Sequence, residues 1–500
     1  MNKFGINTAS NIVARLWSIV SIYIFIPLYI QILGETAYGL VSFFATLQGA
    51  LNLLGLGLSN TLRREFAIGD DAKRKYLMLR SIENIYFIIG IIIILICSLG
   101  SSYISEQWLN VESLNPKMVS LVISLMGVSI ALQLISNVYY GCLMGLEYQV
   151  ISNVYTTGWS ALKSIGALAI IYFVKVDLVL FYLWHIVSDI IYLILLRKSV
   201  SVKLSKTKLR SWRFSDFKNL KTIWKYTLGL LAISFISLIN RQLDKIIISA
   251  FLTLTELGAY NLATTLGNLT GIFPVAVYTA IFPIFTHLAT LENKKRLDSL
   301  FVAVNRLVSL VLSCMGSFIA IFSIPLIKIW TGSEIYPSIL GITATLIVLA
   351  VAIVEFQEIP YALALAYGDT SVNLIVGITF VPLVGVCSYF GIKTLGLLGG
   401  GIVLLTMMTL QTSLYLLLVY KKYLSISKFY LFIRDFFIPL GFAMIIAYIS
   451  KFAIESFVNS IIIEIILAIL IGALTLIVFI LLFARDEIKK ILEDRSFLKG

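Results

Sequence analysis

Five basic side chains stand out in this sequence, because they lie inside apolar stretches long enough to cross a lipid bilayer. They are Arg15, Lys163, Arg241, Lys245 and Arg306. A cation at that depth costs about 3 kcal/mol or more unless it faces protein or a water-filled cavity. Buried cations that outnumber the buried acids predict a cavity for an anionic ligand, and guanidinium groups bind phosphate and pyrophosphate bidentately.

The most polar segment within any apolar stretch contains Arg241, Asp244 and Lys245. These residues are three and four positions apart, so on a helix they share one face. One interpretation is an internal ion pair that leaves one cation over. The other is that Arg241 and Lys245 bind the anionic headgroup of a ligand, with Asp244 as an ion-coupling candidate. Arg15 lies near the repeat equivalent of Arg241, and it either faces the same cavity or extends to the cytoplasmic headgroups.

A second polar group consists of Glu355 and Glu358, just before Pro360. The two carboxylates are three residues apart and are expected to share a helix face. Two buried carboxylates can carry a proton or bind Na⁺, which makes them candidates for ion coupling. The alternative is that one of them pairs with a cation such as Arg306.

The composition is that of a membrane protein. The chain is 59% hydrophobic and 13% charged, with a mean hydropathy of +0.96. Apolar runs of about 20 residues recur along its whole length, as bilayer-spanning helices require. We count roughly fourteen: 12–33, 38–58, 82–104, 118–140, 150–174, 178–196, 226–251, 257–285, 300–327, 338–363, 371–392, 395–420, 435–453 and 461–483.

The net charge of +13 is explained by topology. With these spans, about 29 of the 39 Lys and Arg residues lie on one face, which the positive-inside rule assigns to the cytoplasm together with both termini. Attraction to anionic lipids accounts for the excess without a nucleic-acid partner. The sequence also carries no metal-binding pattern, no phosphate-binding glycine loop and only short loops on the other face, so we expect no cofactor and no enzyme activity.

The spans repeat with an offset of about 222 residues, and six spans per repeat give both halves the same orientation. The predicted organisation is a six-helix bundle over 1–196, a basic linker over 197–225, a second six-helix bundle over 226–420 and two additional helices within 421–500. The linker is either an amphipathic helix on the cytoplasmic leaflet or a solvated connector. The fold class is therefore an all-α polytopic membrane protein.

Two motifs resemble a known transporter family. Ile32-Leu33-Gly34-Glu35-Thr36-Ala37-Tyr38-Gly39 follows the first span, and Arg241-x-x-Asp244-Lys245 leads to Leu257-Gly258-Ala259-Tyr260 in the second half. With the span number, the repeat and the basic linker, the chain resembles the polysaccharide-transporter (Wzx-type) branch of the multidrug/oligosaccharidyl-lipid/polysaccharide exporter superfamily.

This resemblance implies a flippase in the bacterial cytoplasmic (inner) membrane. Such proteins move undecaprenyl-pyrophosphate-linked oligosaccharide units to the outer leaflet for O-antigen (lipopolysaccharide), capsule or exopolysaccharide synthesis, beside polymerase and assembly proteins. The implied cationic cavity maps onto Arg15, Lys163, Arg241 and Lys245. Ion coupling to H⁺ or Na⁺ maps onto Asp244, Glu355 and Glu358.

Four alternatives remain open at this point. A flippase for the peptidoglycan lipid precursor has the same fold and span count. A drug or cation antiporter of the same superfamily would need a mainly acidic cavity, and a membrane glycosyl polymerase would need larger outer loops. A structural scaffold for polysaccharide assembly would need no buried charge.

The topology predicts opposite sides of the membrane for Ser205, in the basic linker, and Ser456, between the last two spans. In intact cells, a cysteine at Ser456 should react with an impermeant maleimide, whereas a cysteine at Ser205 should be protected until the cells are permeabilised. Equal labelling of the two sites in intact cells would contradict the fourteen-span arrangement.

Overall fold

The structure is a computed structural model that describes residues 3–67, 72–204, 242–291, 293–425 and 427–485. Arg241 and most of the predicted linker lie outside these ranges. Within them the chain is helical between short turns, and its one pairing of β type is an isolated bridge between Asn110 and Thr253. The all-α prediction is confirmed.

Residues Met1–Gly258 form one compact unit. Its helices are α1 (Lys3–Leu33), α2 (Glu35–Ala67), α3 (Ala72–Tyr103), α4 (Pro116–Gly145), α5 (Gln149–Phe173), α6 (Leu178–Lys203) and α7 (242–251). A π-helical turn, Ile104–Trp108, follows α3 directly.

Residues Ala259–Gly500 form a second compact unit. Helix α8 (Leu254–Gly267) begins in the first unit and ends in the second. The helices that follow are α9 (Ile272–Thr290), α10 (Lys294–Ile321), α11 (Ser323–Thr331), α12 (Ile335–Leu340), α13 (Ile342–Glu355), α14 (Glu358–Ala366), α15 (Ser371–Tyr423), α16 (Lys428–Phe432), α17 (Ile438–Phe457) and α18 (Ile461–Phe483). The domain boundaries predicted from the sequence stay a prediction.

Ten helical stretches in the described part of the chain are long and apolar enough to cross a membrane. One of them, α15, contains two predicted spans. Helices α2 and α5 cover predicted spans without being among the ten, and only the end of the span at 226–251 is described. The polytopic membrane class is confirmed, whereas the number fourteen stays a prediction.

Helix α15 reverses direction at Gly396, where φ is 60° and ψ is −139°. Glycine adopts this left-handed conformation without the steric penalty that a side chain would bring. A Cβ on Gly399 would overlap the carbonyl group of Gly391. Eight residues of straight helix would separate these two glycines by about 12 Å, so the chain folds back into two spans.

The start of α8 is fixed by a capping box formed by Thr253 and Glu256. The Glu256 carboxylate accepts a hydrogen bond from the Thr253 backbone N–H at 2.9 Å, and the Thr253 hydroxyl accepts one from the Glu256 N–H at 3.1 Å. These reciprocal bonds satisfy backbone groups that the first helical turn leaves without partners. The sequence Thr-x-x-Glu therefore sets where the helix begins.

The segment 249–255 forms hydrogen bonds with other parts of the first unit, at the end of that unit where α1 meets α2. The Glu112 carboxylate accepts hydrogen bonds from the backbone N–H and the hydroxyl of Thr255, at 3.2 and 2.6 Å. The hydroxyls of Thr36 and Thr255 lie 3.1 Å apart. Gly39 permits the close approach, because a Cβ there would overlap the carbonyl oxygen of Leu254.

The last two helices, α17 and α18, pack against α10 in the second unit. Phe318 and Phe322 at the end of α10 form one buried cluster with Ala447 of α17 and Ala468 of α18. A second cluster around Cys314 and Phe479 continues the contact along the same helices. The appended pair is thus part of the core of this unit.

Gly39→Ala should lower the unfolding temperature of the detergent-purified protein, because the added methyl group must displace the backbone of Leu254. Overpacking of this kind costs about 1–3 kcal/mol. Gly158→Ala is the matched control, since nothing lies within 4 Å of a Cβ at that helical glycine, and the better helix propensity of alanine should stabilise it slightly. Equal unfolding temperatures for the two variants would contradict the close contact at Gly39.

Candidate functional site

The carboxylate of Asp189, on α6, is fully buried and holds three helices of the first unit together. One oxygen accepts hydrogen bonds from the Ser129 hydroxyl and, at 3.1 Å, from the Gln133 amide, both on α4. The other oxygen accepts from the Trp159 indole N–H of α5 at 2.9 Å. A buried charge needs such a set of partners to offset its lost hydration.

Lys163 is the cation that pairs with this carboxylate. Its Nζ lies 3.7 Å from the nearer Asp189 oxygen, and its side chain is 11% exposed. The same nitrogen lies 5.1 and 5.5 Å from the ring centroids of Trp159 and Phe44, within the range of cation–π attraction. Binding of an anionic ligand headgroup by Lys163 stays a prediction. The sequence alone did not indicate Asp189 as the acidic partner of Lys163.

The other predicted cations of the first unit have different surroundings. Arg15 is exposed on α1. Lys245 is half-buried on α7 beside the buried Asp244, with which it interacts electrostatically. Arg241 lies outside the described residues, so the predicted triad is seen only in part. The exposure of Arg15 is compatible with contact to an anionic ligand and with contact to lipid headgroups at the membrane surface.

Arg306, on α10 of the second unit, pairs with Asp435, which lies in the π-helical turn Ile433–Phe437. The Arg306 Nη1 atom is 3.9 Å from one carboxylate oxygen, and the neighbouring Arg434 donates to the same oxygen at 2.7 Å. The Asn305 amide donates to the second oxygen at 3.4 Å. Asp435 is thus an acidic partner of Arg306, on a different element from Glu355 and Glu358.

A related network lies in the first unit around Glu83, which is 222 residues before Asn305. Arg80 donates to the Glu83 carboxylate at 2.7 Å, the Tyr139 hydroxyl donates to its other oxygen, and the Arg197 Nε lies 4.0 Å away. The acid stands on α3 here, whereas in the second unit Asp435 lies in the turn before α17. Each unit thus contains a buried polar network, and the 222-residue repeat stays a prediction.

Glu355 and Glu358 lie on either side of a helix break, because α13 ends at Glu355 and α14 begins at Glu358. Pro360 lacks the N–H that would bond to the carbonyl of Phe356, and its ring clashes with that carbonyl in a regular helix. Both carboxylates are half-buried. Glu355 rests against Gly271, where a Cβ would lie 2.7 Å from its Oε2 atom.

An apolar groove of about 400 Å³ runs between α10 and α18 in the second unit. Its lining contains only apolar side chains, a cysteine and a glycine: Leu266, Leu269, Cys314, Met315, Phe318, Ile319, Phe322, Leu326, Ile465, Ala468, Ile469, Gly472, Ala473 and Leu476. Such a surface is suited to an aliphatic chain rather than to a charged group. Among the described residues no cluster of His, Cys, Asp and Glu is arranged to hold a metal ion.

Asp189→Asn should lower the unfolding temperature strongly, because it leaves the buried Lys163 charge without its counter-ion. Breaking a buried pair from one side costs about 3–5 kcal/mol. The double variant Asp189→Asn with Lys163→Met should recover much of this loss. Lys175→Met, which removes a pair whose lysine is 69% exposed, is the control and should change little; a stable Asp189→Asn single variant would contradict the role of the pair.

Several solved structures have the same fold, and they are named as transporters or flippases. A structure of the lipid II flippase MurJ in an inward closed conformation has a TM-score of 0.74 at 14% identity, covering 96% of this chain and 99% of that one. An inward-facing multidrug resistance MATE family transporter of the MOP superfamily has a TM-score of 0.68 at 13% identity, covering 82% and 94%. A MOP superfamily transporter from Pyrococcus furiosus has a TM-score of 0.55 at 17% identity, covering 85% and 94%.

The family follows from the sequence itself. A search of curated proteins finds no match. A family model described as polysaccharide biosynthesis protein matches residues 3–289, which is more than half of the 500 residues. The resemblance noted from the sequence motifs is thereby confirmed, and the chain belongs to the polysaccharide biosynthesis protein family, with the fold of the MOP superfamily transporters.

Proposed function

We propose that this protein is a flippase for a lipid-linked oligosaccharide. It moves an undecaprenyl-pyrophosphate-linked repeat unit from the cytoplasmic to the outer leaflet of the bacterial cytoplasmic membrane, for O-antigen, capsule or exopolysaccharide synthesis. The observation that carries the proposal is the combination of a polysaccharide biosynthesis family match with the fold of a lipid II flippase over 96% of the chain. Both termini lie in the cytoplasm, and polymerase and assembly proteins use the exported unit.

Two features of the described residues support a substrate with a charged head and an apolar tail. The groove between α10 and α18 offers apolar surface for a polyprenyl chain. Arg15 is exposed on α1, so its guanidinium is accessible to a pyrophosphate, for which bidentate hydrogen bonding is well suited. Lys163, Arg241 and Lys245 complete the proposed cationic contacts.

Energy for directed transport comes, in this proposal, from H⁺ or Na⁺. The candidate coupling residues are Asp244, which is buried on α7, and Glu355 and Glu358, which are half-buried in the second unit. A coupled carrier must bind its ion with different affinity in its two facing states. Measurement of substrate-driven ion movement in proteoliposomes tests this part of the proposal.

A second candidate is transport of the peptidoglycan lipid precursor, because the MurJ structure named for lipid II has the TM-score of 0.74 given above. The two candidates differ in the phenotype of a deletion strain. Loss of the repeat-unit flippase removes the surface polysaccharide and leaves cell-wall synthesis running. Loss of a peptidoglycan precursor flippase stops wall synthesis and lyses the cells.

Arg241→Ala should abolish surface polysaccharide in a complemented deletion strain, while the amount of protein in the membrane stays normal. The lipid-linked unit should accumulate on the cytoplasmic side, because the pyrophosphate loses a bidentate partner. Arg241→Lys should restore production only in part, since an ammonium group lacks the planar fork. Lys393→Ala, at an exposed lysine elsewhere, is the control and should behave as wild type; full production by Arg241→Ala would exclude an essential role.

A further inference from the structure

Three aromatic rings lie nearly parallel in the second unit, between α9 and α14. The centroids of Tyr278 and Phe282 are 5.8 Å apart with an interplanar angle of 12°. Those of Tyr278 and Tyr361 are 6.0 Å apart with an angle of 11°. All three side chains are half-buried, so each ring keeps part of its surface open.

Glu358 stands next to these rings. It lies three residues before Tyr361 at the start of α14, which places both side chains on the same side of the helix. Its carboxylate is half-buried and within electrostatic range of the Tyr278 hydroxyl. The neighbouring Gln357 amide donates to Thr412 at 2.7 Å. Glu355, at the end of α13, lies against Gly271.

The exposed positions of α9 beside the rings carry small or polar side chains. Every exposed residue between 276 and 290 is Ala, Thr, Pro or His, namely Ala276, Thr279, Ala280, Pro283, His287 and Thr290. Exposed positions of α18 are instead large and apolar, such as Ile466, Leu470 and Leu474. Ile272 and Phe273 at the start of α9 and Leu291 just after it are exposed as well, so the small side chains are confined to the stretch beside the rings.

A sugar ring has one face of C–H groups and a rim of hydroxyls. Flat aromatic rings receive the apolar face, and a carboxylate can accept hydrogen bonds from two neighbouring hydroxyls. Binding sites for small polar molecules combine apolar and aromatic walls with a few placed polar groups in this way. The three rings and the Glu358 carboxylate have this composition, and the small exposed side chains of α9 leave the half-buried rings open to a ligand on that side.

We infer that Tyr278, Phe282, Tyr361 and Glu358 form a saccharide subsite, the aromatic platform, which binds sugar residues of the transported oligosaccharide. The inference rests on the proposed function and adds to it a contact with the sugar part of the substrate. The rings supply stacking surface, and Glu358 orients the hydroxyls. Recognition of the sugar is thereby separate from the cationic contacts proposed for the pyrophosphate.

The test compares two probes on purified protein in detergent: undecaprenyl pyrophosphate alone, and the oligosaccharide-bearing form extracted from the source strain. Wild type should bind the second probe more tightly. Tyr278→Leu should reduce this preference about fivefold, the size expected for loss of one aromatic contact, with the affinity for undecaprenyl pyrophosphate unchanged. Tyr278→Phe should retain the preference, and Tyr448→Leu, at a tyrosine of α17 that is 66% exposed, should behave as wild type.

Other variants and outcomes distinguish a failure of the aromatic platform from a failure of the proposed function. Glu358→Gln should weaken the preference without altering the rings, and it serves if Tyr278→Leu fails to fold. Because Glu358 is also a proposed coupling residue, Glu355→Gln and Glu358→Gln should both alter substrate-driven ion movement in proteoliposomes, but Glu355→Gln should leave the preference between the two probes unchanged. Binding of neither probe by wild type would overturn the proposed function. Two outcomes would overturn the aromatic platform alone. In the first, wild type binds both probes tightly without preferring either; in the second, its preference is unchanged in Tyr278→Leu and Glu358→Gln.

Discussion

A charge inside a lipid bilayer must be paired or must reach water, and the packing of this protein depends on that constraint. In the first unit, Asp189 draws α4, α5 and α6 together through one carboxylate. In the second unit, Asp435 fixes the appended segment against α10. Apolar side chains give these helices their affinity for the membrane and join α10, α17 and α18 in apolar clusters, and the buried acids add specific polar contacts between helices.

The sequence predicts the helices well because hydrophobicity and length decide them locally. The breaks within them were not predicted: the predicted span 338–363 runs through Pro360, and the reversal at Gly396 lies inside the predicted span 395–420. The pairing of charges is a different matter. Lys163 was identified as a buried cation, whereas its partner Asp189 lies on the next helix, and only the packing of α5 on α6 brings them together.

The candidate site shows the same limit at closer range. Spacing alone places Glu355 and Glu358 on one helix face, but it does not show that α13 ends at the first and α14 begins at the second, or that Glu355 lies against Gly271. Tyr278 and Tyr361 carry no signal in a chain that is 13% aromatic. Their parallel arrangement arises because α14 packs against α9, and the composition of the α9 surface becomes meaningful only once its exposed side is known.

The pairing of Arg306 with Asp435 has a consequence for shortened forms of the chain. The arginine lies on α10, whereas Asp435 lies in the turn that leads into α17. A truncation that removed residues from Lys428 onward would take away this acid together with the apolar surface that α17 and α18 bury against α10. The last helices are therefore joined to the second unit by both charge and packing, and shortening the chain there would disturb both kinds of contact at once.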